Sequence, residues 1–297
     1  MVFLDGIGIG AADAATNPFF ASTYPTLSKI LGGKIPHLKR KRVHSPDADI
    51  VPLNATLGVS GLPQSGTGQT ALFTGVNAAK AVGRHYGPFP YSTLRPILAE
   101  KSIFHRLLAR GRKVHYANAY PQRFFDHLSV HPTRVTAMVQ AWRNAGFVLN
   151  GNEELTRGHA LSADITSERW VAFGFGDVPV ITPRKAGERL VEMLERHDFV
   201  LYEYFQTDHA GHHQSMTQAV EILHILDEFL GGIEGSLDRE KMLFLLTSDH
   251  GNLEDLSRKT HTRNMVPLLL MGAGKEVLAS RCTNLTHVTP AITEHLT

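Results

Sequence analysis

Five short apolar runs constrain the fold of this chain most strongly, because each has the length and composition of a buried β-strand. The runs are Met1–Leu4, Lys113–Ala117, Phe199–Phe205, Met242–Leu246 and Val266–Met271. Helical patterns lie between them, for example over Ile103–Arg110 and over Thr182–Arg196, where Thr182 is placed to cap the helix and Pro183 to begin it. Such alternation is typical of a sheet whose strands are joined by crossover helices. The sequence therefore predicts an α/β fold built on a mainly parallel sheet.

Polar residues follow several of these runs at the point where each predicted strand ends. Asp5 follows the first run, Asp208 the third, and Asp249 with His250 the fourth. Ligands of open α/β sheets bind outside the carboxyl ends of the strands. We therefore expect these four side chains to lie on one rim of the sheet.

Three segments in the C-terminal third carry residues that bind metal ions. They are Asp208-His209-Ala210-Gly211-His212, Thr247-Ser248-Asp249-His250-Gly251-Asn252 and His261-Thr262-Arg263-Asn264. Carboxylates and neutral imidazoles are the donors that Zn²⁺ or Mn²⁺ take in proteins. The segments predict a metal site whose ligands come from several loops, in which His209 and His213 are more readily read as solvent-facing neighbours than as ligands.

Composition limits the class of protein. With 297 residues, 42% of them hydrophobic, the chain can bury one large core. The single cysteine, Cys282, excludes an intrachain disulfide, and the absence of a recognisable signal peptide and of long apolar runs leads us to expect a cytoplasmic protein. A net charge of +2 indicates neither a nucleic-acid nor a membrane partner, and the basic run at residues 39–42 reads as a solvated loop.

The middle of the chain is less regular than its ends. Turn signals at residues 150–152 and 174–176 interrupt it, although residues 134–145 have a helical pattern. We predict a catalytic core formed by residues 1–120 and 181–297, and a small insertion over residues 121–180 that covers the site.

The glycine-rich segment Asp5–Ala11 allows two interpretations. Gly6, Gly8 and Ala11 match the G-x-G-x-x-A fingerprint of dinucleotide-binding folds. A nicotinamide site would need an acidic residue about 20 positions later, and residues 20–30 contain none. We favour Asp5 as a metal ligand on a turn where glycine lets the backbone approach the ion.

A second glycine-rich segment, Gly61–Gly75, contains hydroxyl groups at the predicted start of a helix. Ser65 and Thr67 are both placed to act as a nucleophile, or simply to cap the helix. The N-terminus of a helix stabilises an alkoxide and an incoming phosphate alike, but a serine alkoxide at pH 7 also needs a metal ion or a base. A neighbouring metal pair therefore favours the nucleophile.

The order of these motifs resembles the alkaline phosphatase superfamily. It runs from Asp-Gly through a serine turn, Asp-x-x-x-His and Asp-His-Gly-Asn to His-Thr-x-Asn-x-Val-Pro, and is most similar to the branch of cofactor-independent phosphoglycerate mutase and phosphopentomutase. The resemblance covers residues 1–85 and 180–297. It implies a three-layer α/β/α sandwich and two divalent metal ions, Mn²⁺ or Zn²⁺.

The resemblance also implies a role for each matching residue. One metal ion is held by Asp5, Ser65, Asp249 and His250. The other is held by Asp208, His212 and His261. Ser65, ten residues before Gly75, is the implied nucleophile, with Thr67 as the second candidate.

The sequence differs from the mutases at two places that bear on activity. Gln64-Ser65-Gly66-Thr67-Gly68-Gln69 replaces their Asn-Ser-Glu-Val-Gly-His, and only about 60 irregular residues stand where phosphoglycerate mutase has a large cap. We therefore predict a phosphomonoesterase acting on a small phosphorylated metabolite. A phosphomutase and a catalytically idle metal- or phosphate-binding module are the alternatives, and Arg84, Arg123 and Arg263 are candidates for binding the phosphate dianion.

Overall fold

The seven strands of the computed structural model, which describes residues 1–297, form one mixed sheet in the order β2-β3-β7-β6-β1-β5-β4. The strands are β1 (Val2–Leu4), β2 (Val43–His44), β3 (Ala48–Leu53), β4 (Val114–Tyr116), β5 (Phe199–Tyr204), β6 (Leu243–Ser248) and β7 (Val266–Gly272). β1 pairs in parallel with β5 and β6, and β4 pairs in parallel with β5. β7 is antiparallel to both β6 and β3, and β2 is antiparallel to β3. Five strands thus share one direction and β7 and β2 oppose it.

Fifteen α-helices surround this sheet. They are α1 (Pro18–Ala21), α2 (Pro25–Ile30), α3 (Ser65–Thr74), α4 (Ala78–Val82), α5 (Arg95–Lys101), α6 (Ile103–Leu108), α7 (Gln122–Val130), α8 (Ala137–Asn144), α9 (Asn152–Thr156), α10 (Glu168–Ala172), α11 (Pro183–Glu192), α12 (Gln206–His213), α13 (Met216–Ser236), α14 (Lys275–Arg281) and α15 (Val288–His295). The predicted cap is present, because the Thr182 side chain accepts a hydrogen bond from the Lys185 N–H at the start of α11. No helix is both long enough and apolar enough to span a lipid bilayer.

The core lies on both faces of the sheet, because successive residues of each strand point to opposite sides. On β5, Phe199 and Leu201 pack with helices α3, α5, α6, α8 and α15, whereas Val200, Tyr202 and Tyr204 pack with α11 and α13. Every one of these five side chains is buried. The predicted three-layer α/β/α fold is therefore confirmed.

Residues 121–180 form four short helices, α7–α10, and contribute to three hydrophobic clusters. Buried side chains of α8, among them Met138 and Trp142, belong to the large core on one face of the sheet. Residues around α9 and α10 form a small separate cluster that includes Leu155 and Trp170. Between these two helices, Leu161 and Ile165 pack in the core on the other face, so both parts of the segment contact the sheet layers.

Candidate active site

The parallel pairing of three central strands assembles the site at their carboxyl ends. Leu4, the last residue of β1, is in register with Tyr204 of β5 and with Ser248 of β6. The residues that follow these strands therefore leave the sheet side by side. Asp5 and Asp249 come directly after β1 and β6, whereas Asp208 lies on the first turn of α12 rather than on the strand end.

One group of potential ligands consists of Asp208, His212 and His261. Asp208 and His212 are four residues apart on α12 and so lie on one helical face. His212 Nε2 lies 3.3 Å from Asp208 Oδ2 and 3.3 Å from His261 Nε2, and His261 Nε2 lies 3.6 Å from Asp208 Oδ1. The structure thus brings together the three residues proposed for one of the two metal ions.

The hydrogen bonds of the two imidazoles fix which of their nitrogens carries the proton. His212 Nδ1 is 2.7 Å from the carbonyl oxygen of Lys259, and His261 Nδ1 is 2.7 Å from that of Pro63. A carbonyl can only accept, so each Nδ1 donates and each neutral ring leaves a lone pair on Nε2. Burial, followed by the charge of His250, lowers the pKa of His261 to about 4, which keeps this ring neutral at pH 7. Two imidazole nitrogens with free lone pairs and one carboxylate, all facing the same point, can bind a cation.

The second group consists of Asp5, Asp249 and His250, with Ser65 beside it. His250 Nε2 lies 3.1 Å from Asp5 Oδ1, 3.6 Å from Asp249 Oδ2 and 3.0 Å from Ser65 Oγ. The rings of His250 and His261 stack with their centroids 3.8 Å apart, so the two groups are neighbours.

The carboxylates of this second group are buried without enough partners. Asp5 Oδ1 and Asp249 Oδ2 receive no hydrogen bond, and Asp249 is fully buried. Burial raises the pKa of Asp5, and burial together with the charge of Asp5 raises that of Asp249 well above its ordinary value. Burial lowers the pKa of His250, but the surrounding carboxylates outweigh it and raise the pKa to about 10. Such a concentration of unsatisfied oxygen donors fits a divalent cation, which would keep the acids ionised.

The structure distinguishes between the two hydroxyl groups proposed as nucleophile. Ser65 is the first residue of α3, and its Oγ faces His250 and the cavity in front of both groups. The Thr67 hydroxyl is fully buried, donates to the carbonyl oxygen of Gln64 and accepts from the N–H of Tyr86. Thr67 therefore shapes the turn, while Ser65 faces the potential ligands.

Two glycines allow the loops to come this close. Gly6 has φ +72°, and a Cβ there would lie 2.6 Å from Asp208 Oδ1. A Cβ on Gly68 of α3 would lie 2.9 Å from the carbonyl oxygen of Asp249. Both contacts are shorter than a side chain permits, so any other residue at these positions would push the two groups or α3 apart.

Glu254, which the sequence analysis did not single out, ties three of the loops together. Its buried carboxylate accepts hydrogen bonds of 2.8 Å from the N–H groups of Gly8 and Asn252, and further bonds from the side chains of Thr262 and Asn264. A buried acid with four donors holds the segments that carry the candidate ligands in a fixed relation. The available signal was an acidic residue four positions after His250, beside a cluster of other acids.

A cavity of about 720 Å³ opens from Asp5, Ser65 and Asp208 and extends beneath residues 119–175. Seven aromatic side chains line it: Phe89, Tyr120, Phe124, Trp170, Phe173, Phe175 and Phe205. Arg123, Arg134 and Arg169 line it too, and none of the three forms a salt bridge with an acid. The cavity therefore combines an aromatic wall with three unpaired positive charges, which suits an anionic ligand.

The other two arginines proposed from sequence lie elsewhere. Arg84 is exposed and stands over the ring of Tyr86, and Arg263 is exposed near His85. Neither lines the cavity, whereas Arg134 and Arg169, which the sequence analysis passed over, do. His209 lines the cavity from an exposed position, and His213 is exposed outside it.

Comparison with known proteins places this arrangement in a family. The sequence profile of the Metalloenzyme superfamily matches residues 1–297. A 2,3-bisphosphoglycerate-independent phosphoglycerate mutase of Moorella thermoacetica is 28% identical over 99 residues, which are 31% of this chain and 19% of that enzyme. The match thus spans about a fifth of the curated relative.

Two solved structures share the fold over its whole length. The alkaline phosphatase of the Antarctic bacterium TAB5 superposes with a TM-score of 0.59 at 13% identity, covering 100% of this chain and 98% of that one. The cold-active alkaline phosphatase of Shewanella sp. superposes with a TM-score of 0.55 at 12% identity, covering 100% and 99%. These values confirm the alkaline phosphatase-like fold inferred from the motifs. The chain belongs to the Metalloenzyme superfamily.

Proposed function

We propose that this protein is a two-metal phosphomonoesterase that uses Ser65 as its nucleophile and acts on a small phosphorylated metabolite. The observation that carries the proposal is the position of Ser65 Oγ, 3.0 Å from His250 Nε2, at the start of α3 and at the closed end of the cavity. The superfamily membership supports metal-dependent phosphoryl transfer as the general chemistry.

The proposed ligands follow from the two groups. Asp5, Asp249, His250 and Ser65 would hold one divalent ion, and the other would be held by Asp208, His212 and His261. Mn²⁺ and Zn²⁺ both suit a set of carboxylate and imidazole donors. When bound, such ions lower the pKa of a coordinated hydroxyl or water and neutralise charge on the phosphoryl group.

The chain's own residues have three further tasks. At the N-terminus of α3 the N–H groups of Ser65 and Gly66 are available to a phosphate that approaches Ser65, whereas the Thr67 N–H already donates to the carbonyl oxygen of Tyr86. Gln69, one turn later, donates from Nε2 to Asp5 Oδ2 at 3.2 Å and so orients that carboxylate. Arg123, Arg134 and Arg169 attract the anionic ester into the cavity.

A phosphomutase is the second candidate, and one structural feature favours it. Residues from 119–139 and 163–175 supply much of the cavity lining, and a shielded site slows the entry of water to a phosphoserine, so that a retained alcohol can accept the phosphoryl group instead. The sequence similarity to a phosphoglycerate mutase supports the phosphomutase alternative as well.

The experiment that tests the proposal follows phosphate esters by phosphorus NMR. The protein is loaded with Mn²⁺ or with Zn²⁺ and mixed with phosphoglycerates, pentose phosphates and simple phosphomonoesters. Free phosphate that forms with the wild type and with Thr67→Ser, but not with Ser65→Ala, is the result we expect. Conversion of one ester into another without free phosphate would establish the mutase. No reaction by the metal-loaded protein would favour a catalytically idle binding module.

A further inference from the structure

Glu203 occupies a position of β5 where the strand pattern requires an apolar side chain. Phe199, Leu201 and Glu203 point to the same face of the sheet, and the first two pack in the large core with Phe3. Glu203 is 1% exposed. A carboxylate at such a position costs stability unless its oxygens are fully paired.

The carboxylate of Glu203 is only half paired. Oε2 accepts hydrogen bonds from the hydroxyl groups of Tyr116, at 2.6 Å, and Thr136, at 3.4 Å, whereas Oε1 has no partner. The backbone is held on both sides, because the Asn118 side chain accepts from the N–H and donates to the carbonyl oxygen of Glu203 at 2.8 and 2.7 Å. The side chain is thus fixed in place with one acceptor oxygen free.

Glu203 lines the same cavity as Ser65 and Asp5. It is in register with Phe3 of β1, and Asp5 lies two residues further on the same face. Sheet spacing places the two Cα atoms roughly 8 Å apart. Tyr120, whose hydroxyl is 2.7 Å from that of Tyr116, also lines the cavity. The Glu203 side chain therefore borders the same cavity as the proposed phosphate position at Ser65, with Oε1 as its unpartnered atom.

The charges around the cavity decide what kind of group this oxygen can take. A carboxylate oxygen accepts hydrogen bonds from hydroxyl or ammonium groups. Arg123, Arg134 and Arg169 line the cavity, and of its other acids Asp5 and Asp208 are the proposed metal ligands, which leaves Asp164. With the ions bound, the lining carries an excess of positive charge that favours a neutral hydroxyl over an ammonium group as the donor.

We propose that Glu203 Oε1 accepts a hydrogen bond from a hydroxyl on the alcohol portion of the substrate, so that the site selects hydroxylated phosphomonoesters over unhydroxylated ones. The proposal deepens the proposed function and rests on it. Burial raises the pKa of Glu203 to about 7, so the carboxylate form that accepts this hydrogen bond predominates above that pH, and the kinetic test is run at pH 8.

The test compares two esters of the same three-carbon skeleton, glycerol 1-phosphate and n-propyl phosphate. The ratio of their kcat/KM values is measured for the wild type, Glu203→Met and Glu203→Gln. Met fills a similar volume and suits the apolar face, so the variant is expected to fold, which circular dichroism and metal content verify. We expect the preference for glycerol 1-phosphate to fall about 10- to 100-fold in Glu203→Met, and by less in Glu203→Gln, whose amide can still accept.

Arg84→Ala is the control, since Arg84 does not line the cavity; the preference should persist. An unchanged ratio in folded Glu203→Met would overturn the proposal. If wild-type protein hydrolyses neither ester, the proposed phosphatase activity fails by itself. Calorimetric binding of the two esters to metal-loaded Ser65→Ala, with and without Glu203→Met, then tests Glu203 separately. Equal dissociation constants for both esters in the presence of Glu203 would refute its role.

Discussion

The buried Glu203 carboxylate should make the stability of this protein fall between pH 5 and pH 8, and Glu203→Gln should remove that loss. Burial raises the pKa of Glu203 from 4.5 to about 7 in the folded protein. Between these values the folded state holds a proton that the unfolded state has released. The folded state is therefore favoured at low pH, and this contribution is lost as the pH rises through the window.

The magnitude follows from the size of the shift. Each pKa unit corresponds to about 1.4 kcal/mol, so a shift of this size is worth about 3 kcal/mol in full, of which about 2–3 kcal/mol is lost between pH 5 and pH 8. Solvent does not screen this effect, because Glu203 is 1% exposed. Glutamine has nearly the same shape as glutamic acid but does not titrate. The unfolding free energy of Glu203→Gln therefore does not lose this contribution between pH 5 and pH 8.

The assay is urea unfolding followed by circular dichroism at pH 5, 6, 7 and 8, with identical metal conditions for both proteins. Other titrating groups are common to the two proteins and cancel in the difference, except for the part of the Asp5 charge that itself raises the pKa of Glu203. We expect the unfolding free energy of Glu203→Gln minus that of the wild type to increase by about 2–3 kcal/mol over this range. A difference that stays flat, or that decreases, would refute the reasoning about burial.

Three further perturbations follow from the site. Gly6→Ala should lower the unfolding free energy by about 2 kcal/mol, because alanine is strained at φ +72° and its Cβ meets Asp208; elemental analysis should show less bound metal. Glu254→Gln should weaken metal affinity about 10- to 100-fold, measured by competition with a chromophoric chelator, and unchanged affinity would count against its positioning role. Arg134→Ala should raise KM for a phosphomonoester about tenfold, whereas Arg84→Ala, outside the cavity, should leave steady-state kinetics unaltered.

The central strands and the residues that follow them could be predicted from sequence, because they are continuous apolar runs. Asp208 is the instructive exception: the apolar run ends at the right place, but the chain enters α12 at once, and only the i,i+4 spacing with His212 hinted at a helix. Strand β3, which lies between β2 and β7, was missed because Asp49 and Pro52 disrupt its pattern. In the structure Pro52 lies opposite Pro267 of β7. The pairing with β7 therefore accommodates a proline that the sequence pattern of a strand disfavours.

The cavity could not be predicted, since its lining comes from segments with no local signal. Arg134 and Arg169 are polar residues in an irregular stretch, and their common orientation depends on how α7–α10 fold back over the sheet. Glu203 was within a predicted strand, and its conflict with the apolar pattern was a usable signal. The division of the chain into core and insertion at residues 121–180 stays a prediction.

The central place of β1 has a consequence for the order in which the molecule can form during synthesis. β1 is translated well before both of its neighbours, because β5 and β6 begin nearly 200 residues or more later, at Phe199 and Leu243. At ribosomal rates of about 5–20 residues per second, its apolar edges wait roughly 10–40 s for a partner. The nascent chain thus carries an unpaired strand while about 200 further residues are added. We expect this protein to depend on chaperones during translation more than one whose central strands are close neighbours in sequence.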